Sequence, residues 1–434
     1  MAEDTESACT PLIAAGVASG YEAYPMIRSL LAVSSCALLW FALVAGESAP
    51  ELRWWKGNTH THTLWSDGRA APEWAAKQYV DGGYDFLVLS DHNTLQEGER
   101  WFPISEDGSK RLSAKEFDGL VAAFGAEAID VRETESGREM RLLTLPELRG
   151  RFESAGEFLF IQGEEVTSHF RSEGEKPVNY PVHINAINID DYIAPRGGTS
   201  VGDLLNKSLQ AITAHGEETG RPVLAHLNHP NFGWGVTWQD VARMGADHFF
   251  EVYNGHRGVR NKGDANHLST ESIWDQAMTL RLTALGLGPL YGVATDDAHD
   301  YYGGLTSMTG RGWIMVRSDK LDGDSIVRAM RAGEFYASSG VTLNEIQADD
   351  DAYSLSIRAQ EGVTFVTRFV GTRIIDGSLG PVGETLAEQA GLEPVYKPKG
   401  DELYVRAVVT SSSLHPNPYA EGDHEMAWGQ PWVR

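Results

Sequence analysis

The chain has 434 residues, 42% of them hydrophobic and 22% charged, which is the balance of an ordinary globular protein. A chain of this length buries a large core without metal or disulfide staples, so any metal it holds is expected to serve chemistry rather than folding. The formal net charge of −25 disfavours nucleic acid and anionic membranes as partners, although it leaves a small anionic substrate open, because bound cations reverse the local field.

Residues 1–25 are polar and weakly patterned. The segment 26–49 then reads as a secretory signal: Arg28 supplies the positive start, Ser29 to Gly46 is the apolar run SLLAVSSCALLWFALVAG, and the small residues of GESA follow. Cleavage near Gly46 to Ala49 is expected, giving an extracytoplasmic protein, periplasmic or secreted, with no membrane segment. Cys9 and Cys36 both precede that point, so the mature chain is expected to carry no thiol and no cysteine zinc site.

Beyond the signal, short β-rich segments alternate with amphipathic helical ones. Seven strands are predicted, ending at or containing His60, Ser90, Gly163, His183, His226, Tyr253 and Thr295. Helical spacing appears in APEWAAKQYVDGG (71–83), VGDLLNKSLQAITAHGEETG (201–220) and STESIWDQAMTL (269–280). Repeated β then α predicts a parallel α/β architecture, either a barrel or a doubly wound sheet, and seven strands favour a barrel short of eight staves. Residues 97–157 are too long for a simple loop and contain SAKEFDGLVAAFGAEAI, so they are expected to form an inserted helical cap near the site. From Val341 the pattern changes to alternating strands, as in YSLSIRAQ and LYVRAVVTS. The expected division is therefore an N-terminal extension and signal (1–49), a barrel (50–340) and a small antiparallel β domain (341–434). Trp428 and Trp432 in that last part are candidates either for packing on the barrel or for lining a sugar site.

The chemistry lies where the strands end. The first gives His60-Thr61-His62 and then Ser66-Asp67-Gly68; the second gives Asp91-His92; the third, Glu164-Glu165; the fourth carries His183; the fifth leads to Asn228-His229; and the seventh gives Asp297-Ala298-His299. In a parallel barrel the strand C-termini open on one face, so residues far apart in sequence meet there. The i, i+2 spacing of His60 and His62, and of Asp297 and His299, puts each pair on one side of a strand. Six imidazoles and three carboxylates exceed what one ion takes. They suit two or three divalent ions of zinc, manganese or iron, with a carboxylate bridging. His226 faces either the barrel interior or the layer behind the ligands. His256, Arg257, Arg260 and Lys262, just past the sixth strand, are candidates for holding substrate.

In this order, HTHTLWSDG, SDHNT, GEEVT, the lone His183, NHPN and DDAH resemble the PHP (polymerase and histidinol phosphatase) superfamily over about residues 55–340. The resemblance implies a distorted (β/α)7 barrel. It also implies one metal on His60, His62, Glu165 and Asp297, a second sharing Glu165 with His183 and His229, and a third on Asp67, His92 and His299. Of the adjacent glutamates, the Gly-x-Glu spacing favours Glu165. The signal, the insert, GRGW (310–313), EFYASSG (334–340) and the β-rich tail resemble the carbaryl-hydrolase-like (CehA/McbA) branch, which implies carbamate-ester as well as phosphoester cleavage.

The function expected is that of a metal-dependent hydrolase, in which hydroxide held between two cations attacks phosphorus or a carbonyl carbon. Glu165, Asp297 and His299 are the expected catalytic residues, with Asp297 or a nearby histidine managing the proton. A small organic phosphate is the first substrate class, a carbamate, carboxyl ester or amide the second, and an extracytoplasmic binding module the reading from another class. Edman sequencing of the exported protein should begin just after Gly46 to Ala49; a start at Met1 or Met26 counts against cleavage.

Overall fold

The computed structural model describes residues 51–106, 111–245, 247–303 and 306–434; the signal segment and both cysteines lie outside them. The first strand, β1 (Arg53–Asn58), runs parallel to β2 (Phe86–Leu89), whose four residues are all buried. A strand apolar on both faces needs cover on both, and Phe86 supplies some of it by lying across Gly57. A Cβ added at Gly57 would sit 2.0 Å from the Phe86 ring, so only glycine fits there. β2 pairs in parallel with β3 (Leu159–Arg171).

At the next strand the expected parallel run is broken. β3 does not stop at Gly163 but continues to Arg171, and β4 (Asn179–Ile187) returns antiparallel to it, with Thr167 opposite His183. The reason is length: residues 172–178 are too few for the crossover that parallel neighbours require. β4 is antiparallel to β5 (Leu224–Leu227) as well, after which β5, β6 (Phe249–Asn254) and β7 (Tyr291–Thr295) are again parallel. Thr61, beyond β1, bridges to Ala298, beyond β7, so the segments leaving the first and seventh strands meet.

α1 spans Pro72–Asp81, α2 Ala114–Phe124, α3 Leu145–Phe152, α4 Val201–Thr219, α5 Trp238–Ala242 and α6 Thr270–Leu280. The helices predicted at 71–83, 113–129, 201–220 and 269–280 form close to where periodicity places them, as α1, α2, α4 and α6, and α3 and α5 are additional. α4 begins at Ser200, whose hydroxyl accepts from the Asp203 N–H, and stops at Gly220, in the left-handed region. Its Leu204, Leu205, Leu209 and Ile212 are buried with Ile184, Ala186 and Leu227 of the sheet. The insert contains α2 and α3 but also a three-stranded sheet (101–103, 131–134 and 137–141) that the helical reading missed. It packs on the loop after β1: Arg111 donates to the carbonyls of Ser66 and Gly68 at 2.5 and 3.0 Å, and Trp65 donates to that of Leu143 at 2.9 Å.

Most of the tail continues the main sheet. β8 (Trp313–Ser318) pairs with β1, and β9 (Phe335–Ser338) follows it, with α7 (Gly323–Arg331) between them. Two strands, β10 (Leu343–Ala348) and β11 (Tyr353–Ile357), form a small sheet with Val395–Tyr396. The remaining long strands, β12 (Phe365–Ile375), β13 (Glu384–Ala390), β14 (Glu402–Leu414) and β15 (His424–Gly429), extend the main sheet in the order β9-β15-β14-β12, with β13 on β12. The described residues from 51 onward form one compact unit, and the main sheet continues past 341 through the pairing of β9 with β15. Gln430 exchanges two hydrogen bonds with the backbone of Gly292, 2.8 and 3.0 Å, where another strand would otherwise pair with β7. Trp428 is 2% exposed and donates to Glu271 at 3.1 Å, so it packs on α6, at the wall of a small cavity of about 150 Å³. Trp432, half-buried, borders a cleft of about 890 Å³ beside β10 and β11. Among the described residues no helix is long and apolar enough to cross a membrane.

One buried ion pair ties the tail to α6. Arg406 donates to both carboxylate oxygens of Asp275 at 2.8 and 2.7 Å, and Tyr404 donates to the same carboxylate at 2.8 Å. Removing one partner leaves the other charge buried and unpaired. Arg406→Ala should cost about 3–5 kcal/mol in urea unfolding. The wild type should unfold in one transition; an early, separate transition for the tail would show that it is an independent unit.

Candidate metal centre

Nine side chains from six segments converge where the strands end. His60, His62 and Asp67 follow β1, His92 follows β2, Glu165 and His183 lie within β3 and β4, His229 follows β5, and Asp297 and His299 follow β7. Their ligand atoms fall into four overlapping groups, each within 4.8 Å: His62, Asp67, His92 and His299; His60, Glu165 and His229; His60, His62 and Asp297; His92, Glu165 and His183. Every position singled out for metal in the sequence is therefore in the cluster.

Glu165 is at its centre. It is 0% exposed, with His183 Nδ1 at 3.0 Å and His60 and His229 Nε2 each at 3.5 Å from Oε1, and with His92 Nδ1 at 2.6 Å and His62 Nε2 at 3.4 Å from Oε2. Antiparallel pairing brings His183 there: its strand register places it diagonally across from Glu165. Asp297 faces His60 and His62 at 3.3 and 3.4 Å. Asp67 is 55% exposed and forms the outer edge, 3.3 Å from His299 and 3.6 Å from His92.

The fit to cations is in the donor chemistry. The Nε2 atoms of His60 and His62 are 3.0 Å apart, and two bare lone pairs at that distance repel unless a proton or a cation lies between them. His60 Nδ1 is 2.7 Å from Glu251, and a proton there directs the Nε2 lone pair into the cluster. Glu165 Oε2 is buried, and its polar neighbours there are imidazole nitrogens, His92 at 2.6 Å and His62 at 3.4 Å. Burial alone raises a carboxyl, yet Glu165 and Asp297 are held well below the usual range because the surrounding imidazoles outweigh it. His62 is pushed down to about 4 by burial and by its neighbours His299 and His92. Burial also lowers His92, but Glu165 and Asp67 overcome this and raise it to about 11. These directions describe carboxylates that stay charged and imidazoles competing for the protons between them, a site where divalent cations replace protons.

The backbone is strained at the same place. His229 (φ 22°), Asp297 (φ 49°) and Asn93 (φ 49°), beside His92, adopt the left-handed region without being glycine.

The other candidates separate. Glu164 turns away: it accepts the Ile193 N–H at 2.5 Å, and burial pushes its carboxyl up to about 7. His226 is buried with Nε2 3.1 Å from Thr59 Oγ1 and joins none of the four groups. His256 borders the cluster, its ring 5.6 Å from that of His299. Its Nδ1 accepts the Gly258 N–H at 3.0 Å, which leaves its proton on Nε2. Arg257 is exposed beside it, Arg260 lies over the Trp234 ring at 4.7 Å, and Lys262 pairs with Asp423. Sequence reasoning missed the polar layer behind the ligands. Asn228 donates to Glu165 at 2.8 Å, Asn254 to Asp297 at 3.1 Å, and Asp91 accepts from Thr63, Ser66 and Gln96 to fold the loop carrying Asp67. Phe232 was missed as well: it is 36% exposed, 5.2 Å from the His229 ring and 6.1 Å from that of His183.

No protein-family model and no curated protein sequence matches the chain. Among solved structures it is similar to a two-domain protein from Bacteroides vulgatus containing a predicted PHP-like metal-dependent phosphoesterase. The identity is 15%, over 88% of this chain and 95% of that one, with a TM-score of 0.38. It is also similar to an inferred metal-dependent phosphoesterase from Bifidobacterium adolescentis, at 12% identity, over 58% of this chain and 92% of that one, with a TM-score of 0.30. At such scores the chemistry of the centre stands on its own geometry.

Removing ligands should separate the outer and inner groups. Asp67→Ala should lower the metal content of the purified protein while leaving the inner groups loaded; Glu165→Ala, which touches two groups, should lose more. Equal metal content in both variants, by mass spectrometry of the digested protein, would show that Glu165 is not shared.

Proposed function

We propose that the chain is an extracytoplasmic metal-dependent hydrolase of the PHP type, and that it acts as a phosphoesterase on a small organic phosphate. The observation that carries this reading is the convergence of six imidazoles and three carboxylates into overlapping groups around one buried glutamate. Adjacent groups sharing Glu165 hold two or three divalent ions of zinc, manganese or iron. When bound, such ions lower the pKa of water and polarise the substrate oxygen.

The chain's own residues do the rest. Glu165 and Asp297 keep their charge and fix the imidazoles between them. His256 presents its Nε2 proton beside the cluster, where it can hydrogen-bond a substrate or leaving-group oxygen. Arg257, next along the chain and exposed, supplies positive charge for an anion on a protein that is otherwise acidic. His299, partly exposed at the mouth, is the group best placed to pass a proton outward. Export is supported by the apolar segment at 29–46 ahead of the folded unit.

A second reading, an aryl ester or carbamate hydrolase of the carbaryl-hydrolase-like branch, is favoured by Phe232. An exposed ring against two ligand histidines offers an aromatic leaving group a surface to lie on. The test uses p-nitrophenyl phosphate and a p-nitrophenyl carbamate with the metal-free protein reloaded with zinc, manganese or iron. Phosphate turnover that is abolished by chelation and restored by metal is expected. Preferential carbamate turnover would replace the first reading with the second, and inertness of both with every metal would remove both.

A further inference from the structure

The one acid of β6 lies in the run Phe249-Phe250-Glu251-Val252-Tyr253, and Glu251 is 0% exposed. It is absent from all four ligand groups. A buried carboxylate is costly unless its oxygens are satisfied, and here each oxygen accepts two hydrogen bonds. Oε1 receives His60 Nδ1 at 2.7 Å and Thr295 Oγ1 at 2.6 Å. Oε2 receives the backbone N–H of His229 at 2.7 Å and Asn254 Nδ2 at 2.8 Å.

Two of these partners are ligand residues from different strands. The bond to His60 places its proton on Nδ1 and aims Nε2 at Glu165, Asp297 and His62. The bond to His229 reaches its main chain at the position where φ is 22°, and so holds the strained turn that points its ring at Glu165. Asn254, the fourth donor, also reaches Asp297 at 3.1 Å, which extends the same network to a third ligand. The structure assigns Glu251 as the positioning residue of the centre: a single carboxylate that sets the orientation of His60 and the backbone of His229 together. This role rests on the metal-centre reading given above and adds to it a residue that touches neither metal nor substrate.

The chemistry singles out one substitution. All four partners donate, so the position requires an acceptor at both oxygens. Glu251→Gln keeps shape and volume but turns one oxygen into an NH2 group facing two donors. Either the His60 and Thr295 pair or the His229 and Asn254 pair must then break. Thr295→Val is the milder change, removing one donor from the oxygen that holds His60.

The experiment titrates metal-free wild type, Glu251→Gln and Thr295→Val with Zn²⁺ against a competing chelator. In parallel it follows the histidine ring nitrogens by NMR of the ¹⁵N-His-labelled, metal-free proteins and records the Tm of each. Affinity about 10–100-fold weaker is expected for Glu251→Gln, the usual effect of losing a ligand's hydrogen-bond partner, with a smaller loss for Thr295→Val. The His60 signal should lose its Nδ1–H character in Glu251→Gln, which a merely structural role would not produce. If Glu251→Gln does not fold, Thr295→Val decides. Wild-type affinity and an unchanged His60 tautomer in the folded variants overturn the assignment. A wild type that binds no Zn²⁺ removes the functional reading and this role with it, so the two failures are told apart by the wild type alone.

Discussion

A carboxylate with no access to water depends for its charge on what surrounds it, and Glu165 is surrounded by histidines from four other segments. Each of those segments reaches Glu165 because the strand before it, or containing it, is held in register by its neighbours. Burial pushes a lone carboxyl toward its neutral form; the imidazoles reverse this, and the same attraction holds the strand ends together. The arrangement is costly without cations. Imidazole lone pairs 3.0 Å apart and three strained turns concentrate there. A fold that spends stability at one place needs surplus elsewhere, and the apolar strands, α4 and α6 supply it.

How much of this was legible depended on whether the signal was local. His60 with His62, and Asp297 with His299, announce themselves because i, i+2 spacing at a strand end has few other uses. Helix α4 was readable to within a residue because Ser200 and Gly220 bracket a long 3.6-residue pattern. Asp67 and His92 were placed by motif order, and they stand in one group with His62 and His299.

What escaped the reading was information carried by partners distant in sequence. The reversal of β4 followed from the short 172–178 connection, a constraint on topology that strand patterning does not express. β15 joins β9 across nearly the whole tail, so alternation in 341–434 looked like a separate domain although its long strands continue the main sheet. The satellite sheet of the insert was hidden because VRET and GREMR alternate only weakly and cover a small cluster. Glu251 was the deepest omission. One acid inside an otherwise apolar strand gives no pattern at all, and its meaning appears only when His60, His229, Asn254 and Thr295 arrive around it.

That omission shows what separates a ligand set from a centre. Nine suitable side chains at strand ends specify where cations can go, but a side chain with free torsions does not hold a lone pair in place. Orientation here comes from groups that never reach the cluster: Glu251 behind His60 and His229, Asn228 behind Glu165, Asn254 behind Asp297, and Asp91 behind the Asp67 loop. Glu165, Asp297, His60 and His229 have such backing and are buried, whereas Asp67 is supported through the loop it sits on and is half in water. The inner groups are therefore preorganised for cations, and the outer one must order Asp67 as it binds. For cations held there, tighter inner and looser outer binding is the outcome expected from one structural difference, the amount of fixed hydrogen bonding behind each ligand.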